Sequence, residues 1–124
     1  MREIEFRGIS KKTGKFVFGD LSHFDNCFGG CLIYPKTICR DSVIVKEETI
    51  GQYTGLKDKN GVKIFEGDIL KGWVHGKDKP FIVTYETDIY NCGFIAKSED
   101  GFSHINIGYG FLEVVGNIHQ KENI

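Results

Sequence analysis

Phe81-Ile82-Val83-Thr84-Tyr85-Glu86 alternates without a break, with Phe81, Val83 and Tyr85 set against Ile82, Thr84 and Glu86. Successive side chains of a strand point to opposite faces, so this period of two reads as β structure with two unlike faces. Stretches of the same kind recur on either side of it. Downstream lie Cys92 to Lys97, Ser103 to Ile107 and Phe111 to Ile118, separated by Glu99-Asp100-Gly101 and Gly108-Tyr109-Gly110. Upstream, Ile69 to Val74 joins it through Asp78-Lys79-Pro80, and Val62 to Phe65 comes before Glu66-Gly67-Asp68. Several short strands at this spacing predict a small barrel or sandwich.

The N-terminal half extends the pattern. Ile4 and Phe6 point one way, and Glu3, Glu5 and Arg7 the other, as on a strand with one wet face. After the polar turn Ser10-Lys11-Lys12-Thr13-Gly14, Lys15 to Leu21 reads as a returning strand with Phe16 and Phe18 on one face, so the pair predicts a β-hairpin. Ser22 to Gly30 is less regular, with Asp25-Asn26 and Gly29-Gly30 as loop signals. Cys31 to Tyr34 is a short apolar run stopped by Pro35, and Ser42 to Val45 is another. Further on, Asn60-Gly61 is a turn signal, since both residues tolerate positive φ. Gly67 predicts a bulge or sharp bend, and Asp68 after it is placed to bond backbone amides across that bend. Glu66-Gly67-Asp68 thus reads as a structural corner. The weakest boundary falls near residues 55 to 61. It divides an N-terminal β segment, residues 1–56, from a C-terminal barrel of SH3-like size, residues 57–124, the two being able to share one core.

Composition agrees with an all-β chain. Of 124 residues, 40% are apolar and 27% charged, which is globular rather than disordered. Phe numbers 10 and Gly 16, while Ala96 is the only alanine, so a long helix is disfavoured. The net charge of −1 argues against a chain held to nucleic acid by bulk electrostatics. Met1-Arg2-Glu3-Ile4-Glu5-Phe6-Arg7 places charges where a signal sequence needs an apolar segment, and no apolar run reaches membrane-spanning length. A cytoplasmic location with reduced cysteines and no membrane partner is therefore expected.

Four stretches together resemble the YopX family of phage and prophage proteins. They are Arg2 to Gly8 with Phe18-Gly19-Asp20-Leu21; Ile50-Gly51-Gln52-Tyr53-Thr54-Gly55-Leu56-Lys57-Asp58-Lys59-Asn60-Gly61; Ile64-Phe65-Glu66-Gly67-Asp68-Ile69-Leu70; and Leu112-Glu113-Val114-Val115-Gly116-Asn117-Ile118-His119. They follow the family's order over nearly the full length. The resemblance implies a phage or prophage origin in a bacterium and an SH3-type barrel in the C-terminal half. It implies no activity. The departures lie in residues 22 to 46. The motif positions Gly51, Gln52, Tyr53, Thr54, Gly55, Leu56, Asp58, Gly61, Glu66, Gly67 and Asp68 are candidates for either a structural or a binding role.

No residue set demands a particular chemistry. His23, Cys27, Cys31 and Cys39 have the donor types zinc takes, but their spacing contains no Cys-x-x-Cys knuckle, and free cysteines are commonly small core residues. Cys92 sits in a strand pattern and reads as core. Nothing marks a third residue that would orient a His against a Cys nucleophile. Glu47-Glu48 and Glu99-Asp100 are adjacent pairs whose side chains diverge on a strand. Gly51-x-x-x-Gly55 lacks the Lys-Ser/Thr and helix of a phosphate loop, and these glycines instead suit close packing near Tyr53. A candidate binding surface consists of Trp73, Lys71, Lys77 and Tyr85, with Lys79, Lys97, His75 and Phe81 nearby. Aromatic platforms beside lysines suit single-stranded nucleic acid, and aromatic grooves suit peptides, but the same aromatics serve equally as barrel core. The expectation is a non-enzymatic interaction module needing no cofactor or metal. Its partner would be a host or phage protein, with nucleic acid or self-association as further partners. A nucleic-acid-binding accessory factor and a metal- or thiol-dependent enzyme are the alternatives.

Overall fold

A computed structural model describes residues 3–24, 30–35, 42–74, 77–87, 92–98, 104–105 and 112–120. Among these the protein is all-β, apart from one 3-10 turn at Glu47–Thr49. The strands are β1 (Phe6–Ile9), β2 (Phe16–Phe24), β3 (Gly30–Pro35), β4 (Val43–Val45), β5 (Gly51–Lys57), β6 (Lys63–Phe65), β7 (Asp68–Val74), β8 (Lys77–Thr87), β9 (Cys92–Ser98), β10 (His104–Ile105) and β11 (Glu113–Asn117). All the described pairings are antiparallel. No helix among the described residues is long and apolar enough to cross a membrane. The chain forms two compact units, Met1–Tyr53 and Thr54–Ile124.

In the first unit the strands lie in the order β4-β3-β2-β1-β5. A single bridge, Ser10 to Val45, also ties β4 to the end of β1. Two backbone bonds flank it: Lys11 N–H to the Ile44 carbonyl at 3.0 Å and Lys46 N–H to the Ile9 carbonyl at 2.9 Å. The sheet therefore curls far enough for β4 to touch both β3 and β1. Cys31, Ile33 and Val45 are buried on its inner side, with Phe6, Val17 and Leu21 packed against them. Thr49 fixes the 3-10 turn to β1. Its hydroxyl accepts the Ile9 amide at 2.9 Å and donates to the Lys46 carbonyl at 2.6 Å.

Register decides which side chains face inward. Leu21 pairs with Ile33 and Gly19 with Pro35, while Asp20 pairs with Tyr34. The inward positions of β2 are thus Val17, Gly19 and Leu21, and the two phenylalanines that mark the hairpin, Phe16 and Phe18, face outward. Crowding accounts for this orientation. A Cβ at Gly8 would meet Val45 Cβ at 3.0 Å, and one at Gly19 would meet the Tyr34 carbonyl oxygen at 2.1 Å. Arg7 is likewise not on a wet face, since it is buried with its guanidinium 4.4 Å from the Phe16 ring centroid. The strand expected to end at Leu21 continues to Phe24, because β3 pairs with it that far.

The second unit carries a five-stranded sheet in the order β10-β9-β8-β7-β11, together with β6 beside the later part of β5. Its core is Ile64, Leu70, Phe81, Val83, Ala96 and Leu112. The ladder rows account for this: Leu70 opposes Phe81, and Val83 opposes Ala96, so the Phe81–Val83 face of the alternating stretch is the buried one. The barrel expected here is not closed among the described residues. The sheet ends at β10 and β11, and the two-residue β10 offers little ladder for further pairing.

Gly19→Ala is expected to destabilise the protein by roughly 1–3 kcal/mol, because the added methyl must displace backbone rather than a flexible side chain. Urea unfolding measures it, and a midpoint equal to that of the unsubstituted protein would contradict the close approach.

Candidate functional site

The motif residues of the second unit are occupied with backbone. Asp58 precedes the Asn60-Gly61 turn, in which Gly61 takes φ 83° and donates its amide to the Asp58 carbonyl at 3.0 Å. Asp58 Oδ1 accepts the amides of Asn60 at 2.8 Å and Val62 at 2.9 Å. Its Oδ2 accepts the amide of Val114 on β11 at 2.9 Å. The Lys59 amide donates to the Leu112 carbonyl at 3.2 Å, and Asn60 Nδ2 reaches Glu113 Oε2 at 3.1 Å. One carboxylate therefore both shapes a turn and ties it to β11. Burial pushes this carboxyl upward, but the Val114, Val62 and Asn60 amides outweigh it with the help of Lys59, leaving it below its ordinary value.

The corner at Glu66-Gly67-Asp68 works in the same way. Gly67 takes φ 92°, in the region that favours glycine. Its amide donates to the Val83 carbonyl and its carbonyl accepts the Ile118 amide, both at 2.9 Å. Asp68, buried, accepts the Phe65 amide at 2.7 Å across the bend. Glu66 is half-buried beside them. In β5, Gly55 takes φ 90° and Thr54 Oγ1 donates to the Ile64 carbonyl at 2.8 Å, while Leu56 is exposed. In the first unit Gly51 and Tyr53 are buried, Gln52 is half-buried, and Gly51 pairs with Arg7.

Of the candidate Trp73, Lys71, Lys77 and Tyr85 surface, the side chains of Lys71 and Tyr85 are described, and strand phase puts these two on opposite faces of their sheet. Tyr85 shares the face of Phe81 and Val83 and makes an edge contact with Phe94 at 5.1 Å between ring centroids. Lys71 is out of phase with buried Leu70, so it occupies the other face, opposite Pro80. Trp73 pairs with Asp78 and Val74 with Lys77 in the β7–β8 ladder, and the side chains of Trp73, Lys77 and Lys79 lie outside the described residues. Lys97 is bonded to Glu86 at 3.2 Å. Of the residues considered for metal or thiol chemistry, Cys27 and Cys39 lie outside the described residues, as do the side chains of His23 and Cys92; so do His75, named near the candidate binding surface, and the Glu99-Asp100 pair. Cys31 is buried, and its thiol is pushed up by burial and by Glu47, against a smaller opposing effect of Lys11. That is the reverse of what activates a thiol nucleophile.

One surface escapes a reading by residue type. The outward side of β2, β3 and β4 carries Phe18 (43% exposed), Tyr34 (40%) and Ile44 (38%), with half-buried Phe16 and Leu32 among them. Leu32 opposes Ile44 and Ser22, and Asp20 opposes Tyr34, so these side chains are row and diagonal neighbours on one face. The register could not be inferred without knowing how tightly the inside is packed.

Asp58→Ala is expected to lower stability at neutral pH by about 1–3 kcal/mol, since it leaves three amides without their acceptor. The depressed carboxyl contributes fully above its ordinary value of 3.8 and loses that contribution as the pH falls through the folded-state value. The variant should therefore show a shallower acid limb in urea midpoints measured against pH. An unchanged limb would contradict the clamp.

A solved structure, that of protein EF1440 from Enterococcus faecalis, is similar to this chain with 25% identity and a TM-score of 0.56, over 96% of this chain and 95% of that one. No protein of curated function matches the chain. The family model described as YopX protein matches residues 5–124, essentially the whole length, and the chain belongs to the YopX family.

Proposed function

We propose that this member of the YopX family is a non-enzymatic interaction module, of phage or prophage origin and acting in the cytoplasm of a bacterial host, that works by binding protein. The observation that supports the reading is the outward face of β2, β3 and β4. Three large apolar side chains, Phe18, Tyr34 and Ile44, stand more than a third exposed there, on neighbouring strands of one sheet. Scattered exposed apolar residues need no explanation, whereas a contiguous patch of aromatic and aliphatic groups is the usual mark of a protein-binding surface. The binding protein's partners are a host or phage protein or a further copy of the chain.

A nucleic-acid reading would need lysines and an aromatic platform on one face. Lys71 and Tyr85 stand on opposite faces of their sheet, and Lys97 is engaged with Glu86, so the described lysines give that reading less support.

Affinity capture of tagged protein from bacterial cells, with and without nuclease, tests the proposal. The expected result is one protein recovered at fixed stoichiometry and unaffected by nuclease. Recovery of nucleic acid, with every protein lost after nuclease treatment, would overturn it.

A further inference from the structure

We propose that Asn60 is a site of spontaneous covalent modification, deamidation through the Gly61 nitrogen, that the bonds of its own turn set the rate, and that the product loosens the turn from β11. The modification does not depend on what the outward β2-β3-β4 face binds.

Of the chain's asparagines, only Asn60 is followed by glycine. Asparagine is a thermolabile residue, and loss of its amide requires the next backbone nitrogen to reach the side-chain carbonyl carbon. A following side chain shields that nitrogen, whereas glycine leaves it open. Asn60 and Gly61 are both exposed. Nothing lies within 4 Å of where a Gly61 Cβ would stand, so the space beside the reacting nitrogen is clear. Water and hydroxide are the only co-reactants. The Gly61 nitrogen gives its proton to hydroxide and bonds to Asn60 Cγ. The Cγ–Nδ2 bond breaks, and Nδ2 takes a proton from water and leaves as ammonia. Water then opens the cyclic imide. Entry at Cγ leaves an aspartate, and entry at the Asn60 carbonyl carbon leaves an isoaspartate, with an extra methylene in the backbone.

The turn also restrains the step, because both groups that must move are bonded. The Gly61 amide donates to the Asp58 carbonyl at 3.0 Å, and Asn60 Nδ2 donates to Glu113 Oε2 at 3.1 Å. On either side, Asp58 Oδ1 accepts the Asn60 amide at 2.8 Å and the Val62 amide at 2.9 Å. The charge of this carboxylate also disfavours the anion of the amide between them. Attack therefore waits on local opening of the turn. The product does not regain what is lost. A carboxylate at position 60 turns an acceptor toward Glu113 where the amide turned a donor, so a bond between the turn and β11 becomes a repulsion. β11 is the edge strand of its sheet, and the bonds from Lys59 to Leu112 and from Val114 to Asp58 are left to hold it to the turn.

Incubation of the full chain at mildly alkaline pH, followed by peptide mass analysis, tests the inference. The mass gain of amide-to-acid conversion is expected at Asn60 ahead of every other asparagine, and faster in urea than in the folded protein. Asp58→Ala is expected to speed it at least about fivefold and Glu113→Ala about twofold, the factors that an ordinary and a weak hydrogen bond are worth. Glu113→Ala leaves the Asp58 bonds in place, so the restraint is tested even where Asp58→Ala unfolds the chain. Asn60→Asp reproduces the product. Its urea midpoint is expected to fall, and Glu113→Gln in the same chain to restore it, because the glutamine amide donates to the new carboxylate. Another asparagine converted first, a folded rate equal to that in urea, rates unmoved by both alanine substitutions, or an Asn60→Asp chain as stable as the unsubstituted protein would each overturn the inference.

Discussion

The space inside the first unit's sheet is the constraint from which its surface follows. Val45 comes within 3.0 Å of where a Gly8 Cβ would be, and the Tyr34 carbonyl within 2.1 Å of where a Gly19 Cβ would be. At positions 8 and 19 only glycine fits, because protein cores are close-packed and overfilling forces backbone to move. Phe16 and Phe18 are too large for these rows and alternate outward. Arg7 is pulled with them and covers the Phe16 ring, a contact between cation and aromatic face that keeps its charge beside a favourable partner. On β2 the alternation thus keeps Val17, Gly19 and Leu21 inside and turns Phe16 and Phe18 the other way.

In the second unit the corresponding problem is backbone polarity rather than volume. Every turn and strand end exposes amides that must find acceptors. Asp58 takes three of them and Asp68 one, while the Gly67 peptide bonds on both sides to Val83 and Ile118. Asp58 and Lys59 also occupy the Val114 amide and the Leu112 carbonyl at β11, groups which would otherwise be open to pairing with another chain. Side-chain bonding of this kind protects a sheet edge without lengthening the sheet.

Much of this was legible in the sequence, and the unreadable remainder has a physical cause. Alternation at Phe81–Glu86 correctly separated Phe81 and Val83 from Ile82 and Thr84, because a period of two is local. Asn60-Gly61 and Gly67 announced their bends, since positive φ is a property of the residue itself. The hairpin was visible, but its inward face was not: hydrophobicity alone favours burying Phe16 and Phe18, and only the distance to Tyr34 and Val45 across the curl reverses that. Lys71 and Tyr85 illustrate a related point. Their separation along the chain says nothing about phase between paired strands, and the ladder puts them on opposite faces. The closed barrel implied by family resemblance is a long-range property of strand ends, which no short motif encodes.

Phe18-Gly19-Asp20-Leu21 brings these strands of reasoning into four residues. Gly19 and Leu21 point into the crowded interior and set how closely β2 and β3 approach. Phe18 and Asp20, in the opposite phase, face outward beside Tyr34. The same alternation that builds the core therefore fixes the position of an aromatic group and a carboxylate on the surface to within one strand spacing. By contrast Asp58, Gly61, Gly67 and Asp68 have their polar groups engaged in turns and corners, so the most conspicuous motif stretches are those with least left for a partner. For the proposed interaction module, the place to look is where strand phase turns side chains outward rather than where the sequence is most distinctive. A rigid sheet face can hold those side chains at fixed spacing without the ordering cost a loop would incur on binding.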